Sequence, residues 1–268
     1  MTDVTTSLMI RAAIAASAEI MAVYARAFVA EEKSDGSPVT EADQRAEAVI
    51  LAHLEQSGIP VLGEESVAAG IIPALDGRFF VVDPLDGTKE FIKRNGEFTV
   101  NIALTEGGRP RSGVVLAPAT GDLYWGDADG AFAARVVDGA VTDARPIRVV
   151  ASGPLRIVAS RSHGHAALAE LCDTLQVERD VSVGSSLKFC LLAKGDAQLY
   201  PRFTPTSEWD TAAGQAVLEA AGGVVWGLDG GALTCGHRDK GFLNGFFIAA
   251  ASETLARKCL SEMQRLLA

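Results

Sequence analysis

Acidic side chains gather at three places in the chain, each beside a short apolar run. The central one is Val81-Val82-Asp83-Pro84-Leu85-Asp86-Gly87-Thr88; the others are Gly63-Glu64-Glu65-Ser66 and Ser207-Glu208-Trp209-Asp210. Asp83 and Asp86 stand three residues apart, next to a Gly-Thr pair whose backbone N–H groups could cradle phosphate oxygens. Carboxylates beside such a cradle repel its ligand unless cations lie between them. Mg²⁺ suits that place, because it takes oxygen ligands and is usually held by one or two carboxylates plus a substrate phosphate. The Leu85 carbonyl would add a further oxygen. The octapeptide also reads as an ordinary Asp-Pro-x-Asp-Gly turn, and adjacent acids in a loop are usually just solvated. On the motif alone both readings stand.

The elements around these acids have to bring them together. Residues 77–82 read as a buried strand that ends at Asp83, since Pro84 fixes its own φ and cannot donate to a ladder. The turn after it is expected to open a short helix. Residues 59–62 read as a second strand, leading into a loop at Glu64, so two acid-tipped strands follow in succession. Upstream, residues 7–29 predict a helix with one buried face, and a polar break over 31–38 leads to a second helix from about 40 to 55. Thr40 and Asp43 have capping-box spacing at its start. Downstream, short apolar segments at 98–104, 113–117, 122–125 and 130–136 predict an antiparallel meander. From residue 155 strands (155–159, 177–181, 197–200) alternate with helices (165–175, 186–194), which predicts an α/β layer. Asp210 heads a helix over 211–221, strands follow at 224–227 and 246–250, and Ser252 caps the last helix. Asp210 could merely complement that helix's dipole.

Composition limits the class. With 268 residues the chain fits one domain of two lobes, about 1–150 and 151–268, the second contributing Asp210. A net charge of −10 argues against a nucleic-acid duplex as partner but not against an anionic small molecule. Cys172, Cys190, Cys235 and Cys259 are too widely spaced to suggest a zinc site or a disulfide framework, which fits a reducing cytoplasm. Arg11 and Glu19 interrupt the first apolar stretch, so neither a signal peptide nor a membrane-spanning run is expected, and the protein should be soluble.

With the three acidic sites in their order, the chain resembles the inositol monophosphatase superfamily of Mg²⁺-dependent, lithium-sensitive phosphatases. Lys89-Glu90-Phe91, Gly184-Ser185-Ser186-Leu187-Lys188-Phe189-Cys190 and Pro205-Thr206-Ser207-Glu208-Trp209-Asp210 look most like the 3′(2′),5′-bisphosphate nucleotidases of the CysQ type. The resemblance implies an α/β/α/β/α sandwich and removal of the 3′-phosphate of adenosine 3′,5′-bisphosphate. It implies two or three Mg²⁺ ions held by Glu64, Asp83, Asp86 and Asp210 and by the Leu85 carbonyl, with Asp83 bridging two of them. Asp43, Thr88 and Glu64 form the implied catalytic set, in which Asp43 works with Thr88 to orient or deprotonate the attacking water. Gly87 and Thr88 would offer N–H groups to the scissile phosphate. Glu65 would support the site or a further cation.

A bisphosphate carries a second anionic group, which needs a separate basic and hydroxyl cluster. By resemblance, Ser185, Lys188 and Arg202, with His163, hold that phosphate and the nucleoside. Glu64, Leu85, Asp86 and Asp210 complete the substrate contacts, while Thr206 and Glu208 reach the ribose. Read without the family, Lys188 is equally a solvated helix lysine, His163 a loop residue and Trp209 a core residue. A sugar-phosphate or inositol-phosphate phosphatase has the same metal chemistry, and a non-catalytic phosphate sensor would keep the pocket. A homodimer and a peripheral place at the inner membrane are left open.

Overall fold

A computed structural model describes residues 3–32, 36, 38–160 and 166–268. Helix α1 (Val4–Tyr24) starts earlier than the apolar pattern suggests, because Asp3 caps it by accepting from the Thr5 and Thr6 N–H groups. It ends where the rings of Tyr24 and Phe28 turn in against Phe91 and Phe98, with centroids near 5 Å. By length and composition α1 could cross a membrane, yet half of its most apolar window is buried inside the fold. Strands β1 (Ala30–Glu32) and β2 (Pro38–Thr40) pair antiparallel and lead into α2 (Glu41–Leu54).

Seven strands then form one sheet in chain order: β3 (Val61–Gly63), β4 (Arg78–Asp86), β5 (Thr99–Glu106), β6 (Arg109–Ala117), β7 (Asp122–Asp127), β8 (Gly130–Val137) and β9 (Ala140–Ile147). Every neighbour is antiparallel except β3 and β4, which run parallel. The meander is as expected, with β9 added; its side chains are mostly exposed, so it carries no apolar signature. Short helices α3 (Glu64–Ala68) and α4 (Thr88–Ile92) leave β3 and β4, and α3 replaces the loop expected at Glu64.

The rest of the chain builds a five-stranded sheet from β10 (Arg156–Ser160), β11 (Arg179–Val183), β12 (Leu199–Arg202), β14 (Val224–Gly227) and β16 (Phe247–Ala250), ordered β11-β10-β12-β16-β14. Helices α5 (Ala166–Leu175), α6 (Leu187–Ala193), α7 (Ala212–Ala220) and α8 (Glu253–Leu267) alternate with these strands, and β13 (Thr206–Ser207) pairs with β15 (Leu243–Asn244).

Helices α1 and α2 cover one face of the first sheet; α6 and α7 lie between the two sheets; α5 and α8 cover the far side of the second. The order is therefore α/β/α/β/α. Three apolar clusters fill the interfaces, and β4 feeds two of them. Phe80 and Val82 face α1 and α2, whereas Phe79 and Val81 face the helices between the sheets. Covered on both faces, β4 reads as a continuous apolar run rather than an alternating one.

Beyond Asp83 the strand does not stop. It pairs on to Asp86 across a bulge, Asp83 facing Asn101 and Asp86 facing Thr99. Its other neighbour, β3, pairs no further than Val82, so Pro84 sits where no ladder partner asks for an N–H. The extra residue also inverts the side-chain alternation. Leu85 joins Phe80 and Val82 on the α1–α2 side, and the two aspartates three residues apart turn the same way.

Candidate active site

Asp83, Asp86 and Asp210 come together, with one carboxylate oxygen of each lying within 4.8 Å of the others. Each acid has one oxygen committed to the protein. Asp83 Oδ1 accepts from the Leu85 N–H at 3.0 Å. Asp86 Oδ2 accepts from the Ser186 N–H at 2.6 Å, Ser186 Oγ at 2.8 Å and Asn101 Nδ2 at 3.1 Å, with Thr99 Oγ1 at 3.4 Å. Asp210 Oδ2 accepts from Thr206 Oγ1 and, at 3.2 Å, from the Ser207 N–H. Among the described residues no donor reaches the second oxygen of any of the three. That leaves one uncommitted hard oxygen on each of three clustered carboxylates, a donor set that fits a hard divalent cation.

Electrostatics agree with the geometry. Burial holds the Asp83 carboxyl well above its usual range, and the nearby charges of Glu64, Asp86 and Asp210 push it further up. Burial, followed by the Asp86 charge, pushes Asp210 up to about 6. Such a cluster is unfavourable by itself and becomes favourable around positive charge.

Glu64 begins α3 and lines the same cavity, although it falls outside the tight triad. Its helix is anchored by Glu47 of α2, a buried carboxylate that accepts from the Glu65 N–H at 2.9 Å and from the Ser66 N–H and hydroxyl at 2.7 and 2.5 Å. Gly63 is needed there, since a Cβ would sit 2.7 Å from Glu47 Oε2. Gly87 is needed for another reason. It turns the chain at φ 94°, and a Cβ there would lie 3.1 Å from the Glu97 carbonyl.

Asp43 closes the expected capping box and also contacts Thr88. Oδ2 closes the capping box with the Thr40 N–H and hydroxyl, each at 2.8 Å, while Oδ1 accepts from the Thr88 hydroxyl at 3.0 Å. The Thr88 hydroxyl is also 3.3 Å from the Leu85 carbonyl. Asp210, in contrast, does not cap α7: it precedes the N-cap Thr211 and bonds back to Thr206 and Ser207.

One cavity of about 250 Å³ is lined by Glu64, Asp83, Leu85, Asp86, Gly87, Thr88 and Asp210, and equally by Ser185, Lys188 and Arg202. Lys188 is not the solvated helix lysine. It is 5% exposed, and burial lowers its pKa to about 8. Its ammonium donates to the Ser185 and Val183 carbonyls at 2.7 and 3.3 Å, and its third proton has no partner among the described residues. Ser185 holds a left-handed backbone at φ 50°, and its buried hydroxyl has no partner among the described residues. Arg202 donates to the Thr204 carbonyl and to the Tyr200 hydroxyl. His163 lies outside the described residues.

Glu208 corrects the sequence reading. It is fully buried and does not line the cavity; it fastens the following loop by accepting from the Gly236 N–H at 2.6 Å, the His237 N–H at 3.0 Å and His237 Nδ1 at 2.6 Å. Thr206 does line the cavity, and Trp209 packs against the central apolar cluster. The reading from sequence missed Asn101 and Ser186, both buried against Asp86. Asn101 carried a signal, as an amide inside an otherwise apolar strand; Ser186 carried none beyond its motif.

Residues 1–267 match the Inositol monophosphatase family. The chain belongs to that family. It is 48% identical over 232 residues to the 3′(2′),5′-bisphosphate nucleotidase CysQ of Salmonella typhimurium, a match covering 84% of this chain and 91% of the relative. The protein of the same name from Escherichia coli O157:H7 is 46% identical over 229 residues, with the same coverage. Among solved structures, CysQ from Bacteroides thetaiotaomicron superposes with a TM-score of 0.76 at 37% identity, covering 93% of this chain and 98% of that one. Inositol monophosphatase family members are metal-dependent, and the acidic triad is this member's candidate cation site.

Proposed function

We propose that this chain is a Mg²⁺-dependent 3′(2′),5′-bisphosphate nucleotidase that converts adenosine 3′,5′-bisphosphate and water to AMP and phosphate. The observation that carries the proposal is a single cavity lined both by an acidic triad with three uncommitted oxygens and by a cationic group, Lys188, Arg202 and the Ser185 hydroxyl. A monoester needs only the first set; an ester with a second phosphate needs both. Relatives named as 3′(2′),5′-bisphosphate nucleotidases, 46–48% identical to this chain, support the same reading.

Asp83, Asp86 and Asp210, with Glu64 and the Leu85 carbonyl, would hold two or three cations. Once bound, these supply charge neutralisation for the phosphate and an acidified water. The chain's own residues do the rest, and since phosphoryl transfer asks little covalent chemistry of a protein, their task is alignment. Gly87 and Thr88 turn their N–H groups toward the phosphate to be removed. Thr88 passes the proton that the attacking water loses to Asp43, whose capping bonds keep Oδ1 aimed at the hydroxyl. The water oxygen bonds to phosphorus as the bond to the ribose 3′-oxygen breaks; that oxygen leaves as an alkoxide and takes a proton from solvent water, while Asp43 returns the proton it received to solvent. Lys188 and Arg202 hold the 5′-phosphate throughout, with the Ser185 hydroxyl as a further donor. We also propose one domain of two lobes, joined where α6 and α7 lie between the sheets, acting on this small ester in a reducing cytoplasm.

The test is phosphate release from adenosine 3′,5′-bisphosphate, inositol 1-phosphate and fructose 1,6-bisphosphate, with and without Mg²⁺. The nucleotide should be preferred by at least about tenfold in kcat/KM, and only with Mg²⁺ present. Preference for either sugar phosphate would overturn the substrate assignment, and turnover that ignores Mg²⁺ would overturn the chemistry.

A further inference from the structure

Two of the three acids come from distant parts of the chain, and one buried side chain touches both. Ser186, 2% exposed, donates its N–H to Asp86 Oδ2, and its hydroxyl lies 2.8 Å from the same oxygen and 2.7 Å from the Asp210 carbonyl. That hydroxyl has one proton, so it serves one of these acceptors at a time. Asn101 Nδ2 lies 2.9 Å from Ser186 Oγ and 3.1 Å from Asp86 Oδ2, bracing the arrangement from β5. Every donor on Asp86 among the described residues thus converges on Oδ2, which leaves Oδ1 uncommitted in a carboxylate that lies within 4.8 Å of those of Asp83 and Asp210.

We propose that Ser186 is a positioning residue: by gripping the Asp86 carboxylate and the Asp210 backbone together, it sets the spacing between ligands supplied by β4 and by the turn before α7, and so makes the site selective for a small, strictly octahedral cation. The inference rests on reading the acidic triad as a cation site and adds what fixes its dimensions. The physical basis is the different tolerance of two ions. Mg²⁺ requires near-ideal octahedral geometry at short distance, whereas Ca²⁺ accepts longer, irregular coordination. Groups that orient a ligand from behind typically change metal affinity by about 10- to 100-fold when removed. Without the Ser186 hydroxyl, Asp86 keeps the Asn101 and Ser186 N–H bonds but loses its tie to Asp210, so the ligand spacing relaxes.

Calorimetric titration of the full-length, substrate-free protein with Mg²⁺ and separately with Ca²⁺ tests this, once the unfolding temperature of each variant shows that it is folded. Ser186→Ala should weaken Mg²⁺ binding about tenfold or more and Ca²⁺ binding by less than about threefold, lowering the Mg²⁺ to Ca²⁺ affinity ratio. An equal loss for both ions would mean general loosening and overturn the proposal, as would an unchanged Mg²⁺ affinity. Should Ser186→Ala not fold, Ser186→Gly carries the same expectation, because it removes the same hydroxyl and keeps the N–H that holds Asp86. The nucleotidase reading fails separately: wild-type protein that binds Mg²⁺ with the expected dependence on Ser186, but releases no phosphate from the bisphosphate, sinks the function and leaves the positioning role intact.

Discussion

Each aspartate of the triad divides its work between two oxygens, one bonded to the protein and one uncommitted among the described residues. This has a cost in the absence of cations, readable in pH. The Asp210 carboxyl titrates near 6 when folded against 3.8 ordinarily, so between those values the native chain holds a proton the unfolded chain has lost. Native stability contributed by this group therefore falls as pH rises through that window, and the deficit is complete above about 6. Asp210→Asn cannot carry the charge. Without divalent cations it should be more stable than wild type by on the order of 2 kcal/mol at pH 7, with the gain vanishing below about pH 4, as followed by denaturant unfolding. With Mg²⁺ present the same variant should lose its turnover. Equal stability at both pH values would remove the electrostatic account of the cluster. Thr88→Val should lower kcat by about 10²- to 10⁴-fold while leaving Mg²⁺ titration unaltered, because it deletes the hydroxyl between the water and Asp43 and no ligand oxygen. Unchanged turnover would eliminate the relay. At this scale the acids were legible in the sequence through residue type and order. Ser186 and Asn101 were not, since a serine or an asparagine says nothing of its partner until the fold brings residues 85 to 100 positions apart into contact.

Elements convert these residue types into geometry, and β4 does most of it. A regular strand would send Asp83 and Asp86 to opposite faces; the bulge gives them one. Pro84 hinted at an interruption, and the sequence reading took it as the strand's end, because proline marks equally a break and a bulge on a strand without a second partner. Similarly, α3 was invisible as a helix, its five residues being too few for periodicity, and what holds it is the Glu47 carboxylate from α2. Glu47→Ala should leave two N–H groups and a hydroxyl without an acceptor, costing about 3 kcal/mol in unfolding experiments. It should also lower kcat/KM through displacement of Glu64, even though Glu47 does not line the cavity. Stability loss with full kcat/KM would show that α3 does not depend on this anchor for its position.

Over the whole molecule, strand β4 of the seven-stranded sheet supplies Asp83 and Asp86, α3 supplies Glu64, the segment before α7 supplies Asp210, and the turn into α6 and its first residues supply Ser185 and Lys188. The meander was legible from apolar periodicity, apart from β9, whose exposed side chains leave no pattern, while the five-layer order was implied by the family resemblance. What periodicity could not give was the packing of α6 and α7 between two sheets, and that packing closes the site. The negative charge of the chain is no obstacle to an anionic substrate if part of it is spent around cations at this junction. The most direct measurement is an anomalous difference map from a crystal soaked in Mn²⁺ as a stand-in for Mg²⁺. Peaks should lie at about 2 Å from the uncommitted oxygens of Asp83, Asp86 and Asp210. A map with no peak bridging Asp210 to the two β4 aspartates, at saturating Mn²⁺, would contradict the account.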